Sequence, residues 1–359
     1  MTPRRVLFTN NTLSIRAGTE LYVRDLAGAL LARGHRPMAF STILGDVADE
    51  LRQNGVPVVS DLSALPQAPD IVHGHHHIET MMAMLHFPGT PAVSVCHGAA
   101  MWEETPPAFP RILRYVAVDC PTQERLEAAQ VPRDHIVRIL NFVDLKRFPV
   151  RAPLPARPLR AVVLSNEISE SNVLPEIREA CGRASLSVDV FGAASGHPLQ
   201  DPGAVLGRYD VVFAKARSAL EGLATGAAVV LCSAAGMGPM VTSVNVDRLR
   251  PLNFGMRCLT QPVTADAIVA ALAHYNATDA QRVSATIRAS ASLDAAADRW
   301  ASLYDEVIAE HGSRGPDDIA AEGRAASAYL RTISDIFKAG FETKRELDKL
   351  RMSQKISTT

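Results

Sequence analysis

With 359 residues and a formal net charge of −1, the chain is long enough for two domains and carries no long-range field to gather nucleic acid or an anionic membrane. A hydrophobic content of 47%, 5% aromatics and a mean hydropathy of +0.04 exclude a disordered chain, and five dispersed cysteines (Cys96, Cys120, Cys181, Cys232, Cys258) without CxxC spacing exclude a disulfide scaffold and suit a reducing compartment. No apolar run approaches the ~20 residues that span a bilayer, and the run after Arg5 is too short for a signal-peptide core, so the expectation is a soluble, cytoplasmic protein with no transmembrane segment and no nucleic-acid partner.

Val6–Thr9 reads as a buried strand, followed by a polar loop from Asn10 to Thr19 and a helix from about Glu20 to Arg33. Val23, Leu26, Ala27, Leu30 and Leu31 fall at i, i+3, i+4, i+7 and i+8, and Gly34 suits the helix stop. Strands at Pro37–Ser41 and Val56–Val59 flank a helix at Val47–Gln53, the alternation that a doubly wound domain requires.

The next strand, from Asp70, ends in His73-Gly74-His75-His76-His77. Imidazole is a common metal ligand, so the cluster alone admits a metal reading; Glu79 is the only close carboxylate, and no other ligand sits at metal spacing. Pro91–Val95 is another strand, leading into Cys96-His97-Gly98, and Tyr115–Asp119 runs into a helix capped near Thr122. Four prolines, Pro149, Pro153, Pro155 and Pro158, then mark an extended linker, and Arg160–Ser165 restarts a buried strand. The loop after it, Asn166 to Asn172, contains Glu167 and Glu170 and no cation.

Tyr209–Val230 is the most informative stretch. Asp210–Phe213 reads as strand, Ser218 as N-cap, Ala219–Ala224 as helix, and Gly226 as the left-handed stop before a second strand. Such a unit aims a helix N-terminus at the carboxyl edge of a parallel sheet, where free N–H groups favour an anion. Lys215 and Arg217 precede that helix and Glu221 lies about one turn inside it, so a diphosphate beside a ribose would use both kinds of charge. Gly236–Thr242 is a Gly-rich loop that either approaches a ligand or simply connects. Leu293–Glu310 is helical, with Trp300, Leu303, Tyr304, Val307 and Ile308 on one face. After Gly315-Pro316, Ala326, Leu330, Ile333, Phe337 and Phe341 form an apolar stripe that gives way to Glu342–Lys349, a helix that docks on the body or pairs with another chain.

Leu220-Glu221-Gly222-Leu223-Ala224-Thr225-Gly226-Ala227-Ala228-Val229-Val230 resembles the donor-site helix of family 4 glycosyltransferases. Ala17-Gly18-Thr19-Glu20 is similar to that family's Gly-Gly-x-Glu loop, Val95-Cys96-His97-Gly98 to its Thr-x-His segment, and Val131–Phe148 to the run, Asn141 included, that closes its N-terminal domain. The likeness covers about residues 5 to 310. It departs where Phe213 replaces the first of two donor-contacting glutamates, and where the loop at 166–172 lacks the family's phosphate-clamping Arg and Lys.

The resemblance implies an α/β protein of GT-B architecture: two Rossmann-like doubly wound domains facing across a cleft, plus a C-terminal helical extension. The divisions are residues 1–150 on the acceptor side, linker 151–159, nucleotide-sugar domain 160–292, crossing helix 293–312 and amphipathic tail 313–359. It implies a glycosyltransferase moving a sugar from a nucleoside diphosphate sugar, UDP- or GDP-linked, to a hydroxyl of a glycan, protein or small molecule, with retention and without metal or cofactor. His97 and Glu221 take the catalytic roles; Lys215, Arg217, Ser218, Glu221 and Gly18 bind the donor; and Thr19, Glu20, His75 and Asn141 line the acceptor side. That Lys215 and Arg217 form a substituted phosphate clamp is not a family feature but an expectation from their charge beside a loop that has lost its cations. The rival expectation is a degenerate relative that serves as a binding or scaffold partner. Self-association through the tail is a further expectation.

Overall fold

The computed structural model describes residues 2–356, with side chains through residue 346; Leu347, Asp348 and Lys349 of the tail pattern lie outside the described side chains. In the first half, β1 (Arg5–Thr9), α1 (Gly18–Leu31), β2 (Arg36–Phe40), α2 (Asp46–Gln53), β3 (Val58–Val59), β4 (Ile71–His75), α3 (His77–His86), β5 (Ala92–Cys96), β6 (Ile112–Ala117), α4 (Cys120–Ala128) and β7 (Ile136–Arg138) alternate as the apolar periodicity predicts. The seven strands order as β3-β2-β1-β4-β5-β6-β7, all parallel. Helices cover both faces, which is why β1 and β5 read as largely apolar runs and why His73 and His75 of β4 are fully buried.

The second half holds β8 (Arg160–Leu164), α5 (Leu174–Arg183), β9 (Ser187–Phe191), α6 (Gly203–Leu206), β10 (Val211–Ala214), α7 (Ala216–Thr225), β11 (Ala228–Ser233), β12 (Gly236–Met240), α8 (Val246–Leu249), α9 (Ala265–Leu272) and α10 (Ala277–Ser290). Its sheet orders as β12-β11-β10-β8-β9, with β12 alone antiparallel. Gly236–Met240 is therefore an edge strand rather than a ligand-approaching loop. Glycine is needed at Gly238 because a Cβ there would lie 2.2 Å from the Cys258 carbonyl oxygen.

The chain leaves the first domain and returns to it at one place. Val143 N–H donates to Ala291 O (2.8 Å) and Leu293 N–H donates to Val143 O (3.0 Å), so the outgoing and returning strands are stitched side by side. The return is α11 (Leu293–Ser313), which packs on α1 and buries Trp300, Leu303, Tyr304 and Val307 in the first domain's core. Its polar tips are satisfied there: Trp300 Nε1–H donates to Tyr22 Oη (2.9 Å), and Tyr304 Oη lies 2.6 Å from His73 Nδ1.

The tail is one helix, α12 (Ile319–Ile356), 38 residues and about 57 Å long. Its first turns dock: Glu322 pairs with the buried Arg111, Ala325, Ala326 and Tyr329 pack on the first domain, and Tyr329 Oη lies 2.8 Å from His77 Nδ1. Farther on, Leu330, Ile336, Phe337 and Phe341 are exposed.

Candidate active site

The carboxyl ends of both sheets face one cleft, and two cavities in it share Gly18 and Arg217. The smaller, about 150 Å³, is walled by Arg16, Ala17, Gly18 and Arg24 from the first domain, by Arg147, and by Asn166, Gly192, Arg217, Ser218 and Glu221 from the second. The larger, about 500 Å³, is walled by Gly18, Thr19, Tyr22, His97, Gly98, Met101, Glu104, Asn141, Glu167, Ala216, Arg217 and Asn253. A Cβ at Gly18 would meet no protein atom within 4 Å, so the space beside it belongs to the cleft.

Two helix N-termini reach the smaller cavity. The N-caps of α1 and α7, Ala17 and Lys215, make no side-chain capping hydrogen bond, which leaves first-turn N–H groups available to an anion. Ser218, expected as N-cap, lies inside the first turn of α7 instead, because Ala216 enters the helix with φ of 48° and its N–H donates to Phe254 O (2.8 Å). Asn253 and Phe254, at φ of 53° and 51°, answer it across the cleft wall, so non-glycine residues in left-handed conformations gather at this site.

The charges around the smaller cavity alternate along one chain. Glu221 Oε1 accepts from Arg217 Nε (2.8 Å); Arg217 also pairs with Asp25 of the other domain, Asp25 with Arg24 (2.6 Å), Arg24 with Glu50 (3.1 Å) and Glu50 with Arg16. Burial pushes the Glu221 carboxyl up, only partly offset by Arg217. Burial would also raise the Asp25 carboxyl, but Arg217 and Arg24 together hold it below the usual range. Arg217, flanked by both carboxylates, is locked in its charged form despite burial. Lys215 donates to both oxygens of Glu167 (2.6 and 2.8 Å), and Arg178 donates to Glu170 (3.0 Å), so both carboxylates of the loop at 166–172 are paired. Both expected clamp cations are thus engaged within the protein. Arg16, Arg147 and Arg217 all keep some contact with solvent on the cavity wall, Arg16 paired with Glu50 and Arg147 with Asp201 (3.0 Å).

The larger cavity is built differently. His97, just past the end of β5, has Nε2 2.6 Å from His75 Nδ1, with the two ring planes within 13° and the centroids 4.7 Å apart, so the rings lie edge to edge, and His75 in turn lies against His73. Burial drives His73 and His75 well below the ordinary imidazole range and lowers His97 to about 4, so these rings are neutral at pH 7. Among the described residues, no group of three or more His, Cys, Asp or Glu is disposed to hold a metal ion. The run His73–His77 is divided instead among a core stack, the His76–Glu104 pair (3.5 Å) and the docking contact with α12. Glu104 Oε2 accepts from the His97 backbone N–H (2.7 Å). Asn141 Oδ1 and Asn253 Oδ1 are buried without a partner at the wall of this cavity, two acceptors of the kind a hydroxyl-rich ligand would satisfy.

The structure therefore gathers Gly18, Thr19, His97 and Asn141 on one side, and Gly18, Arg217, Ser218 and Glu221 on the other. Lys215 lies beside them in its pair with Glu167. His75 and Glu20 stand behind the wall, His75 against His97, and Glu20 buried with its Oε2 accepting from Thr19 (3.1 Å). Sequence reasoning missed Arg16, Arg24, Asp25, Glu104, Arg147 and Asn253. Arg16 and Arg24 flank the Gly18 loop, which was a usable signal, whereas nothing in the local pattern announces Asp25 as the partner of Arg217, 192 positions away.

Residues 16–147 match the family model described as Glycosyltransferase Family 4. No curated protein matches the sequence. Among solved structures, the chain is similar to a glycosyltransferase from Rickettsia africae at 15% identity and TM-score 0.61, covering 86% of this chain and 99% of that one. It is similar to Anabaena HepE in complex with UDP and glucose at 14% identity and TM-score 0.60, covering 84% and 99%. It is also similar to sucrose-phosphate synthase from Thermosynechococcus elongatus at 12% identity and TM-score 0.56, covering 86% and 100%. These likenesses carry the fold: the two facing Rossmann-like domains are GT-B architecture.

Proposed function

We propose that this GT-B protein, with its family 4 glycosyltransferase domain, transfers a sugar from a nucleoside diphosphate sugar to a hydroxyl acceptor. The carrying observation is the division of the cleft into a cationic half, walled by two uncapped helix N-termini, and a neutral half with two unpartnered amide oxygens beside His97. The first suits a diphosphate and the second a sugar and its acceptor. HepE, which shares the fold, was captured with UDP and glucose, and this supports a UDP-sugar as the first donor to try.

In this reading the diphosphate sits at the N-termini of α1 and α7, with Arg16 and Arg147 as its cations in place of the expected Lys215 and Arg217 pair. Glu221 uses its free Oε2 for a ribose hydroxyl while Oε1 stays on Arg217. Catalysis comes from placing donor and acceptor together and stabilising the departing diphosphate by fixed N–H groups and arginines. Retention of anomeric configuration and independence from metal belong to the same proposal. Product NMR and assay in chelator test them. The primary test is hydrolysis or transfer with UDP-glucose and a panel of other nucleotide sugars, compared with Glu221→Ala. Loss of turnover in the variant supports the reading; equal turnover in parent and variant removes Glu221 from the site.

One observation favours a second reading, a binding or scaffold protein without turnover. Arg217 is saturated by Asp25 and Glu221, and Phe213, where the family has its other glutamate, is fully buried in β10. A nucleotide that binds without any transfer or hydrolysis would select it.

A further inference from the structure

We propose that His75 is a positioning residue that fixes His97 as an Nδ1–H donor aimed into the larger cavity. His75 is fully buried; its Nδ1 meets His97 Nε2 at 2.6 Å, and its Nε2 is enclosed with no hydrogen-bond partner. Two neutral rings can share that contact in only two ways. If His97 Nε2–H donates to His75 Nδ1, the His75 proton must sit on Nε2, where a buried N–H finds no acceptor. If His75 Nδ1–H donates to His97 Nε2, only a lone pair is left without a partner, and orphaned buried N–H groups are the rarer and costlier of the two. The second arrangement places the proton of His97 on Nδ1.

That nitrogen has no partner in the protein and belongs to a ring on the cavity wall. The groups facing His97 do not compete for it. Glu104, from the segment after β5, is engaged by the His97 backbone N–H and by His76, the Tyr22 ring of α1 stands edge-on, and His75 comes from β4. His97 is thereby a hydrogen-bond donor and not a general base. The statement that its N–H meets an oxygen of the transferred sugar or the acceptor rests on the reading proposed above; the tautomer itself does not.

Long-range proton–nitrogen NMR of the full chain labelled at histidine tests it. His97 Nδ1 and His75 Nδ1 should show protonated, pyrrole-type shifts at pH 7, and a protonated His97 Nε2 overturns the proposal whether or not any donor sugar has been found. His75→Leu removes the donor to Nε2, and because a hydrogen bond to the neutral ring disfavours its protonation, the His97 pKa followed in the same NMR titration should rise, with kcat down about 10-fold. His75→Asn, whose amide can donate in the same place, should restore both. A loss in the Leu variant with an unmoved His97 titration and no rescue by Asn means packing alone, and refutes the positioning role. Should His75→Leu fail to fold, the parent's NMR tautomer and the Asn variant still decide.

Discussion

The two halves of the cleft solve the problem of polar atoms in a partly dry site in opposite ways. Around the smaller cavity every acid and base is spent on a neighbour, in a chain that runs from Glu221 through Arg217 and Asp25 to Arg16 and crosses between the domains. Around the larger one the rings are neutral, and His97 Nδ1, Asn141 and Asn253 keep unused hydrogen-bonding capacity. The difference teaches that the first half is held by charge that bridges the domains, while the second is left unsatisfied, which is what the proposed function asks of the half that meets ligand hydroxyls.

Acid should break the neutral half first. His73, His75, His77 and His97 all have folded-state pKa values below the ordinary 6.5, with His77 and His97 at about 4. At these four sites the unfolded chain binds more protons than the folded one between pH 6.5 and 4, opposed toward the acid end by buried carboxyls such as Glu20 and Glu221 that burial raises. Stability is present above 6.5 and is lost as pH falls toward 4, by up to about 1.4 kcal/mol per pH unit for each histidine involved. Urea unfolding across that range measures it; a flat profile would mean that the rings are not held neutral.

Arg217→Met attacks the charged half. It strands Glu221 as a buried carboxylate and leaves Asp25 with Arg24 alone, and should cost about 3–5 kcal/mol, read by denaturant unfolding. Asp25→Asn should lose less, because Arg217 keeps Glu221. Equal losses in the two variants would deny that Glu221 depends on Arg217.

His97→Ala should lower kcat about 10²–10³-fold with KM little changed, if its N–H acts on a group whose charge develops in the transition state. A matching rise in KM with kcat intact would make it a binding residue only. A nucleoside diphosphate at about 100 times its Kd should stabilise the parent by roughly 2.7 kcal/mol, a thermal shift of a few degrees, and Arg16→Ala should remove it. The smallest effect concerns the tail: removal of residues 334–359 should leave turnover unchanged while abolishing any dimer seen by light scattering. One mass with and without the segment ends the idea of self-association through α12.

Strand alternation, the proline-marked linker and the crossing helix were legible because each is a local pattern of apolar period or of chain stiffness. Gly18 and His97 could be picked out because they sit at a helix start and just past a strand end, where α/β folds place ligands, and all four of Gly18, His97, Asn141 and Glu221 line the cleft. The engagement of Lys215 and Arg217 was not legible, since it depends on Glu167 and Asp25, which tertiary structure alone brings near. Ser218 has the right chemistry for a cap, yet the left-handed turn at Ala216 starts α7 earlier. The glycines of β12 masked a strand in which Gly238, having no Cβ, can lie against the Cys258 backbone.

The stitched crossing at Val143 and Ala291–Leu293 bears on mechanics. Two separate connections would let the domains slide, tilt and shear; two strands bonded to each other behave as a door hinge with one pin. Any opening would then be a rotation about that pin, and it would have to part the ion pairs that bridge the domains, Arg217 with Asp25 and Arg257 with Glu124 (2.5 Å).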